Sequence, residues 1–255
     1  MDALTALIFG AIEGITEFLP ISSTGHLILA SWALGVPQTA FHKSFEIIIQ
    51  LGAIAAVLVL YWRSFLNLEI VKRLAVAFIP TGIIGLLLYQ PIKTYLIGNE
   101  AVVLWALVLG GIALIVFELV HKEQESATAD ISAVSYKQSL LIGLFQSVAM
   151  IPGVSRSGAS ILGGLIAGLR RTTIVEFSFL LAVPTMLAAV GLDLLKSASS
   201  FSESNVVTLA IGFSTAFVVA LLAIKFLLRF VQTHTFIPFG IYRIVVAVAF
   251  WVMIF

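Results

Sequence analysis

Six long, predominantly apolar runs along the chain are each long enough to cross a membrane as a helix. A crossing helix needs about 20 apolar residues, because each residue rises about 1.5 Å and the hydrocarbon core is about 30 Å thick. We therefore predict six membrane spans, at residues 45–62, 74–89, 101–120, 174–195, 206–228 and 236–255.

Two further regions are apolar but are interrupted by Pro, Gly and Ser. Each consists of a run, a break and a second run, at 3–19, 20–25 and 27–34 in the first region and at 139–151, 152–158 and 159–169 in the second. These runs are short for a crossing, and non-helical backbone at membrane depth is tolerated only where it is buried in protein or lines a wet cavity. We predict two re-entrant helical hairpins whose tips line such a cavity.

The two interrupted regions resemble each other when the second is moved back by 133 positions, which aligns LIFG with LLIG and Ser22 with Ser155. Each half of the chain then contains one hairpin and three spans. We therefore predict a single membrane domain in three parts, a first repeat at about 1–120, a polar linker at 121–138 and a second repeat at about 139–255.

The basic residues predict how the halves are oriented, because cytoplasmic connections carry an excess of Lys and Arg. If the chain starts outside, the cytoplasmic connections hold nine basic residues and the outer connections hold three. The nine are Arg63, Lys72, Arg73, Lys122, Lys137, Arg170, Arg171, Lys225 and Arg229, and the three are Lys43, Lys93 and Lys196. The fold class predicted is an all-α integral membrane protein with an inverted-topology repeat, both termini outside and the hairpins meeting near the midplane.

Composition agrees with this class, since 60% of the 255 residues are hydrophobic, 11% are charged and the mean hydropathy is +1.13. The net charge of +1 and the lack of a basic stripe give no reason to expect a nucleic-acid partner. Cysteine is absent, so chemistry falls to Ser, His, Glu, Asp or Arg. The first residues lack a basic n-region, and we expect them to belong to the mature protein.

Two carboxylates lie in the first hairpin, where charged side chains are costly and are functional hypotheses by default. Glu13 and Glu17 are four residues apart, so they share one face of a helix. A divalent metal, a bound arginine or a shared proton would relieve the repulsion between them. The alternative is an acidic cap at the membrane interface.

The first break continues as SSTGH and supplies Ser22, Ser23, Thr24 and His26. Its hydroxyls could cap a helix or attack phosphorus. The imidazole of His26 could take a proton from a hydroxyl or a water and later return it, whereas a packing role is the alternative.

The second break, PGVSRSGAS, carries Arg156 between Ser155 and Ser157, with Gly153 nearby to allow close backbone approach. A guanidinium suits bidentate phosphate binding, and neighbouring N–H and hydroxyl donors would complete an anion site. Alternatively, Arg156 only neutralises a glutamate of the first hairpin. Both interpretations bring the two breaks together. Arg243, one turn into the last span, is expected to extend toward the membrane surface.

The motifs EGITEFLPISSTGH, at 13–26, and PGVSRSGAS, at 152–160, resemble the signatures of the undecaprenyl-diphosphate phosphatase family of the bacitracin-resistance type. The resemblance covers the whole chain. It implies hydrolysis of undecaprenyl diphosphate to undecaprenyl phosphate and phosphate, which recycles the lipid carrier for bacterial cell-wall synthesis and confers bacitracin resistance. It also implies a multi-pass protein of the bacterial plasma (inner) membrane, with the site facing the periplasm.

Carried over by position, the motif residues of the family fall on Glu13, Glu17, Ser23, His26 and Arg156. The second family motif ends in Thr, where this chain keeps a hydroxyl with Ser160. We expect Arg156 to hold the phosphate, with further contacts from Ser155, Ser157, Thr24, Ser22 and Gly153.

A diphosphate hydrolase must stabilise several negative charges, and catalysis of phosphoryl transfer depends mostly on positioning and charge stabilisation. We therefore expect Glu13 and Glu17 to bind Mg²⁺ or Ca²⁺ against the diphosphate. Ser23 would attack phosphorus or orient a water, with His26 as its acid–base partner, and both routes stay open. A transporter or flippase of a lipid phosphate or another anion is the alternative function. Apart from the polyprenyl diphosphate and membrane lipids, the partner question stays open, and a homodimer is one arrangement that the sequence allows.

Overall fold

The computed structural model describes residues 1–37, 39–96, 99–121, 123, 126–197 and 206–254. Within these residues the chain forms ten α-helices and two short 3₁₀ turns, with one isolated β-bridge between Thr128 and Leu169. The helices are α1 Ala3–Thr16, α2 Ser23–Ala33, α3 Ala40–Phe65, α4 Leu68–Tyr95, α5 Glu100–Val120, α6 Tyr136–Ser147, α7 Arg156–Ile166, α8 Arg171–Ser197, α9 Val206–Phe230 and α10 Ile237–Ile254.

The prediction of an all-α membrane protein with six long apolar helices is confirmed. Among the described residues, α3, α4, α5, α8, α9 and α10 are long and apolar enough to cross a membrane. Several begin earlier than predicted, because polar residues extend them: Thr39 caps α3 and Asn67 caps α4 through their side-chain oxygens. Residue 255 of the last predicted span and residues 122, 124 and 125 of the predicted linker lie outside the described residues.

The four shorter helices form two pairs, α1 with α2 and α6 with α7, and each pair is separated by a non-helical break. In the first pair α1 ends at Thr16 and α2 begins at Ser23. In the second, a 3₁₀ turn at Val148–Met150 follows α6, and α7 begins at Arg156. Helix α6 starts before the predicted residue 139, because Ser135 and Gln138 form a capping box at the end of the linker.

Contacts between distant parts of the chain hold the breaks in place. Helix α1 packs along α9, α6 packs along α4, α5 packs against α10, and α3 contacts both α8 and α9. Small residues permit these approaches, as is usual for helices in membranes. A Cβ added at Gly10 of α1 would lie 2.6 Å from the Gly212 carbonyl oxygen of α9, and one added at Gly143 of α6 would lie still closer to the Ala77 carbonyl oxygen of α4.

The largest buried cluster joins the first break to several helices, among them α3, α7, α8 and α9, and it contains the edge-to-face pair of Phe18 and Phe179. Large apolar side chains such as Leu86, Leu119 and Val252 are exposed on the outside. An apolar exterior around a core that contains buried charges suits a protein whose solvent is lipid.

The linker is partly packed against the pair formed by α6 and α7. Val134 is fully buried, and Gln138 donates hydrogen bonds to the Thr128 hydroxyl and to the Ala167 carbonyl at the end of α7. Asp130 stays exposed, and hydrogen bonds from Ser132 hold the pKa of its carboxyl below the ordinary value.

Candidate active site

The two breaks meet through an ion pair between residues that are far apart in sequence. Arg156, the first residue of α7, donates from Nη2 to Oε1 of Glu17 at 2.9 Å. Ser157 adds a second link, because its Oγ donates to the Leu19 carbonyl oxygen at 2.9 Å. The break that follows α1 and the break that precedes α7 therefore form one polar site inside the protein.

Glu17 is the centre of this site, and its side chain is only 7% exposed. While Oε1 accepts from Arg156, Oε2 accepts from the Ser23 hydroxyl at 2.5 Å. That length is typical of a hydroxyl bonded to an ionised carboxylate. Glu17 is thus placed to polarise the Ser23 hydroxyl and to accept its proton.

The guanidinium of Arg156 is held from three sides. Nη1 donates to the Ser178 carbonyl oxygen of α8 at 2.8 Å, and the guanidinium carbon lies 5.9 Å from the centroid of the Phe18 ring. The buried Nε has no hydrogen-bond partner among the described residues. Arg156 is therefore fixed in position and keeps one N–H donor without a partner. Its ion pair with Glu17 is also what the alternative interpretation predicts, in which Arg156 only neutralises a glutamate.

Glu13 lies one turn before Glu17 and is fully buried. Neither of its carboxylate oxygens has a hydrogen-bond partner in the described part of the chain. The charges of Glu17, Glu46 and Arg156 are close enough to act on it. A buried carboxylate without a partner is costly, so this position calls for a bound cation or a proton.

The acidic residues fit a divalent cation that is shared with a substrate. Within the described ranges, no group of three or more His, Cys, Asp or Glu residues could hold a metal by itself. Mg²⁺ does not require such a group, since it is usually bound by one or two carboxylates together with substrate phosphates and water. Glu13 has two free oxygens for this purpose, whereas both oxygens of Glu17 already accept hydrogen bonds.

His26 is held by two contacts that do not involve Ser23. Its Nδ1 lies 2.7 Å from the Ser22 carbonyl oxygen, and its Nε2 lies 2.9 Å from the hydroxyl of Tyr242, on which the ring also stacks. Because a carbonyl only accepts, Nδ1 carries the proton, and Nε2 of the neutral ring accepts from Tyr242. In this structure the Ser23 hydroxyl donates to Glu17, and the predicted Ser23–His26 pair is not formed.

Two of the predicted phosphate-binding serines act as helix caps. Ser22 has a φ of +73° and accepts from the Gly25 amide at 3.4 Å. Ser155 accepts from the Gly158 amide at 3.1 Å at the start of α7. A positive φ is strained for any residue except glycine, and such strain is concentrated at functional sites.

The other predicted phosphate-binding residues, Ser157, Thr24 and Gly153, do not cap helices. The Ser157 hydroxyl is buried and lies 3.0 Å from that of Ser155, whereas Thr24 is exposed. Gly153 has a φ of +92°, and a Cβ there would lie 2.6 Å from the Val103 carbonyl oxygen, so glycine is required. Ser160, the departure from the family pattern, donates to the Arg156 carbonyl oxygen and lies 2.7 Å from the Ser178 hydroxyl.

The prediction that Arg243 extends toward the membrane surface is wrong, because its side chain points into the protein interior. It is 2% exposed and donates to main-chain carbonyls in both breaks and in α5. Tyr242 beside it was not predicted at all. The only signal in the sequence for the Tyr242 contact with His26 and for the buried Arg243 was the presence of a Tyr–Arg pair inside the last apolar span.

A largely apolar cavity of about 630 Å³ lies beside the second break, between α5, α6 and α7. Most of its wall is aliphatic or aromatic, and the exceptions include Ser155 and Arg243. The cavity is therefore an apolar space that borders the polar residue Ser155, which immediately precedes α7.

The fold and the site define an integral membrane protein in which a carboxylate, an arginine and a serine hydroxyl from two broken helix pairs meet in a buried polar centre. Residues 6–249 match the family model described as bacitracin resistance protein BacA. The chain therefore belongs to the BacA family.

Curated relatives match almost the whole chain. It is 53% identical over 251 residues to an undecaprenyl-diphosphatase of Sulfurihydrogenibium sp. (strain YO3AOP1), with 98% of this chain and 99% of the relative covered. It is 51% identical to the undecaprenyl-diphosphatases of Wolinella succinogenes and Aquifex aeolicus, of which 97% and 98% are covered, together with 98% of this chain in each case.

Proposed function

We propose that this protein hydrolyses undecaprenyl diphosphate to undecaprenyl phosphate and phosphate, and so recycles the lipid carrier of bacterial cell-wall synthesis. Membership of the BacA family and the names of the relatives support this activity. The observation that carries the proposal is the position of Glu17, which links the Ser23 hydroxyl to the Arg156 guanidinium. The residues that we propose as nucleophile, base and phosphate-binding cation are thus adjacent.

Arg156 and the start of α7 would bind the diphosphate. The guanidinium keeps its Nε donor free, and the first amides of a helix bind phosphate through the helix dipole. The substrate would compete with Glu17 for part of the guanidinium. Arg156 would then neutralise the charge that develops on the phosphoryl oxygens in the transition state.

Ser23 is the proposed nucleophile, with Glu17 as its base. The Ser23 oxygen would form a bond to the terminal phosphorus as the bridging P–O bond breaks, and the hydroxyl proton would pass to Glu17. Water would then cleave the phosphoserine and release phosphate. His26 remains the proposed acid–base partner in the second step, and its bonds to Ser22 and Tyr242 hold the ring beside the same break.

The proposed Mg²⁺ or Ca²⁺ would be held by Glu13, by Glu17 when substrate has displaced Arg156 from it, and by the substrate itself. Such a cation, when bound, neutralises phosphate charge and favours loss of the leaving group. The internal alignment supports a functional role for Glu13. Its counterpart at the 133-residue offset is Gln146, which donates to Thr81 and Thr185, whereas Glu13 has no protein partner among the described residues.

We also propose the finer architecture: two inverted repeats, each with a re-entrant hairpin and three spans. The equivalent packing of α1 on α9 and of α6 on α4 supports it, as do the aligned residues Gly10 and Gly143, which both contact the partner backbone. The distribution of basic residues supports termini outside, and the family resemblance supports a site that opens to the periplasm from the inner membrane.

The activity is tested by phosphate release from undecaprenyl diphosphate by the detergent-purified protein, with and without EDTA. We expect release that EDTA abolishes and that added Mg²⁺ or Ca²⁺ restores. Binding of the lipid without release would contradict hydrolysis and favour a transporter or flippase.

Glu13→Gln is expected to raise the divalent cation concentration needed for half-maximal release by about tenfold or more, because a ligand charge is lost. Release is measured over a cation titration. Glu118→Gln is the control, since Glu118 is also buried but is paired with Arg171. An unchanged titration in Glu13→Gln would contradict the proposed cation site.

The cavity beside the second break would bind the first isoprene units of the lipid tail, because it is apolar and adjoins Ser155. Ala159→Trp would fill part of it. Excluding two CH₂ groups removes about 1.6 kcal/mol of binding, which corresponds to about a tenfold rise in KM.

The cavity variant is compared on undecaprenyl diphosphate and on a short substrate, methyl diphosphate, which has no isoprene unit to place in the cavity. Ile166→Trp, on the exposed end of the same helix and outside this cavity, serves as the control. An equal rise in KM for the long and the short substrate would contradict a tail-binding role.

A further inference from the structure

Arg243 of α10 is a large buried side chain whose guanidinium contacts three separate parts of the chain. Its four hydrogen bonds of 2.9 to 3.3 Å all go to main-chain carbonyl oxygens, those of Pro20, Ala106, Leu107 and Gly153. Pro20 lies in the first break and Gly153 in the second, while the other two belong to α5. One side chain therefore joins both breaks to a continuous helix.

No acidic side chain balances this buried charge. Among the described residues, the ion pairs of Arg involve Arg73, Arg156 and Arg171, and Arg243 forms none. A buried cation is costly unless its hydrogen bonds are satisfied, so the free energy of burial must be offset by the carbonyls. Carbonyls of non-helical backbone in a membrane protein equally need donors, and a guanidinium supplies several in a fixed plane.

The neighbouring helix leaves space for this guanidinium. A Cβ at Gly110 of α5 would overlap the Nη2 and Cζ atoms of Arg243. At the next residue, Gly111, an added Cβ would instead lie 2.6 Å from the Gly240 carbonyl oxygen of α10, and its contact with Arg243 would be at the Cβ of that residue, at 3.3 Å, rather than at the guanidinium. The two glycines thus have different roles, because Gly110 accommodates the guanidinium and Gly111 allows the helices to approach.

We propose that Arg243 is a positioning residue that fixes the two breaks relative to each other, an inference that rests on the proposed hydrolysis. Pro20 lies between Glu17 and Ser23, so anchoring its carbonyl fixes the segment that joins base and nucleophile. Gly153 lies just before Arg156, so anchoring its carbonyl fixes the phosphate-binding side. The four hydrogen bonds of Arg243 go to none of the side chains of Glu17, Ser23 and Arg156, so it acts through the backbone that carries them.

The first test is steady-state kinetics of Arg243→Met and Arg243→Lys. A shift of about 1 Å in reacting groups can cost about 100-fold in rate, and we expect this fall in kcat for Arg243→Met, with KM little changed. Lys retains the charge but not the planar fork, so kcat should fall about tenfold. An unchanged kcat in both variants, with only a lower melting temperature, would overturn the proposal.

Gly110→Ala and Gly111→Ala form a matched pair that leaves Arg243 itself intact. Gly110→Ala displaces the guanidinium and should lower kcat about as much as Arg243→Lys, that is about tenfold. Gly111→Ala disturbs the packing of α5 on α10 and should lower the melting temperature while kcat below the transition is retained. An equal loss of kcat in both variants would assign the effect to helix packing and overturn the proposal.

The geometry is tested without substrate, because the chain contains no cysteine and accepts spin labels at chosen sites. Labels at Ala33→Cys of α2 and Ile166→Cys of α7, both exposed, report the separation of the helices that follow the two breaks. We expect a narrow distance distribution with Arg243 and a broader one with Arg243→Met. An unchanged distribution would overturn the positioning role, whereas failure of the wild type to release phosphate would overturn the proposed function alone.

Discussion

Glu17→Gln is expected to lower kcat for phosphate release by about 10³-fold, the range associated with loss of a catalytic base. The amide cannot accept the Ser23 proton, and it also leaves the Arg156 guanidinium without its only described carboxylate partner. The Arg156 guanidinium would then bind the substrate phosphate without competition from the Glu17 carboxylate. We therefore expect kcat to fall while KM does not rise, as measured with undecaprenyl diphosphate in detergent at a saturating concentration of the divalent cation that Glu17 would help to bind.

Glu118→Gln is the matched control for this variant. Glu118 is another buried glutamate, with its Oε2 2.6 Å from Nη2 of Arg171, and it also accepts from the Phe236 amide. Losing such a pair destabilises the fold, because a charge stays buried without its partner. Both variants should therefore lower the melting temperature, and only Glu17→Gln should lower kcat. Retained activity in Glu17→Gln would remove Glu17 from the site.

The spans and the breaks could be predicted because each depends on local sequence. A run of about 20 apolar residues has few alternatives to crossing a membrane. Pro, Gly and Ser within an apolar run interrupt helices by their own backbone chemistry, which is why the breaks before Ser23 and before Arg156 were found. Helix ends were less predictable, since polar caps such as Asn67 extend α4 beyond its apolar part.

The contacts within the site could be predicted only in part. Opposite charges in two breaks implied that Arg156 would approach a glutamate, but Glu13 and Glu17 were equally good partners until the helix orientation was known. The environment of Arg243 could not be predicted, because its partners are main-chain carbonyls, which every residue has. The Tyr242 contact of His26 likewise depends on how α10 packs beside α2.

Ser23→Ala is expected to lower kcat by about 10³-fold or more, because the hydroxyl bonded to Glu17 is the proposed nucleophile and its loss removes the covalent route. Acid quenching of the wild type during turnover of substrate labelled in its terminal phosphate should give a labelled peptide that contains Ser23. Ser139→Ala removes a buried hydroxyl that donates to the Ser135 carbonyl in the first turn of α6, outside both breaks, and it should retain kcat.

The size of the Ser23→Ala effect also separates the two routes that the residues allow. If Ser23 only orients a water, alanine leaves room for that water beside Glu17, and the expected loss is nearer to about 100-fold, with no labelled peptide in the wild type. The 2.5 Å bond from Ser23 to a carboxylate favours attack by the serine oxygen, because the proton is already shared with its acceptor. A labelled peptide together with the larger loss would establish the phosphoserine, and its absence on a rapid quench would assign the attack to water.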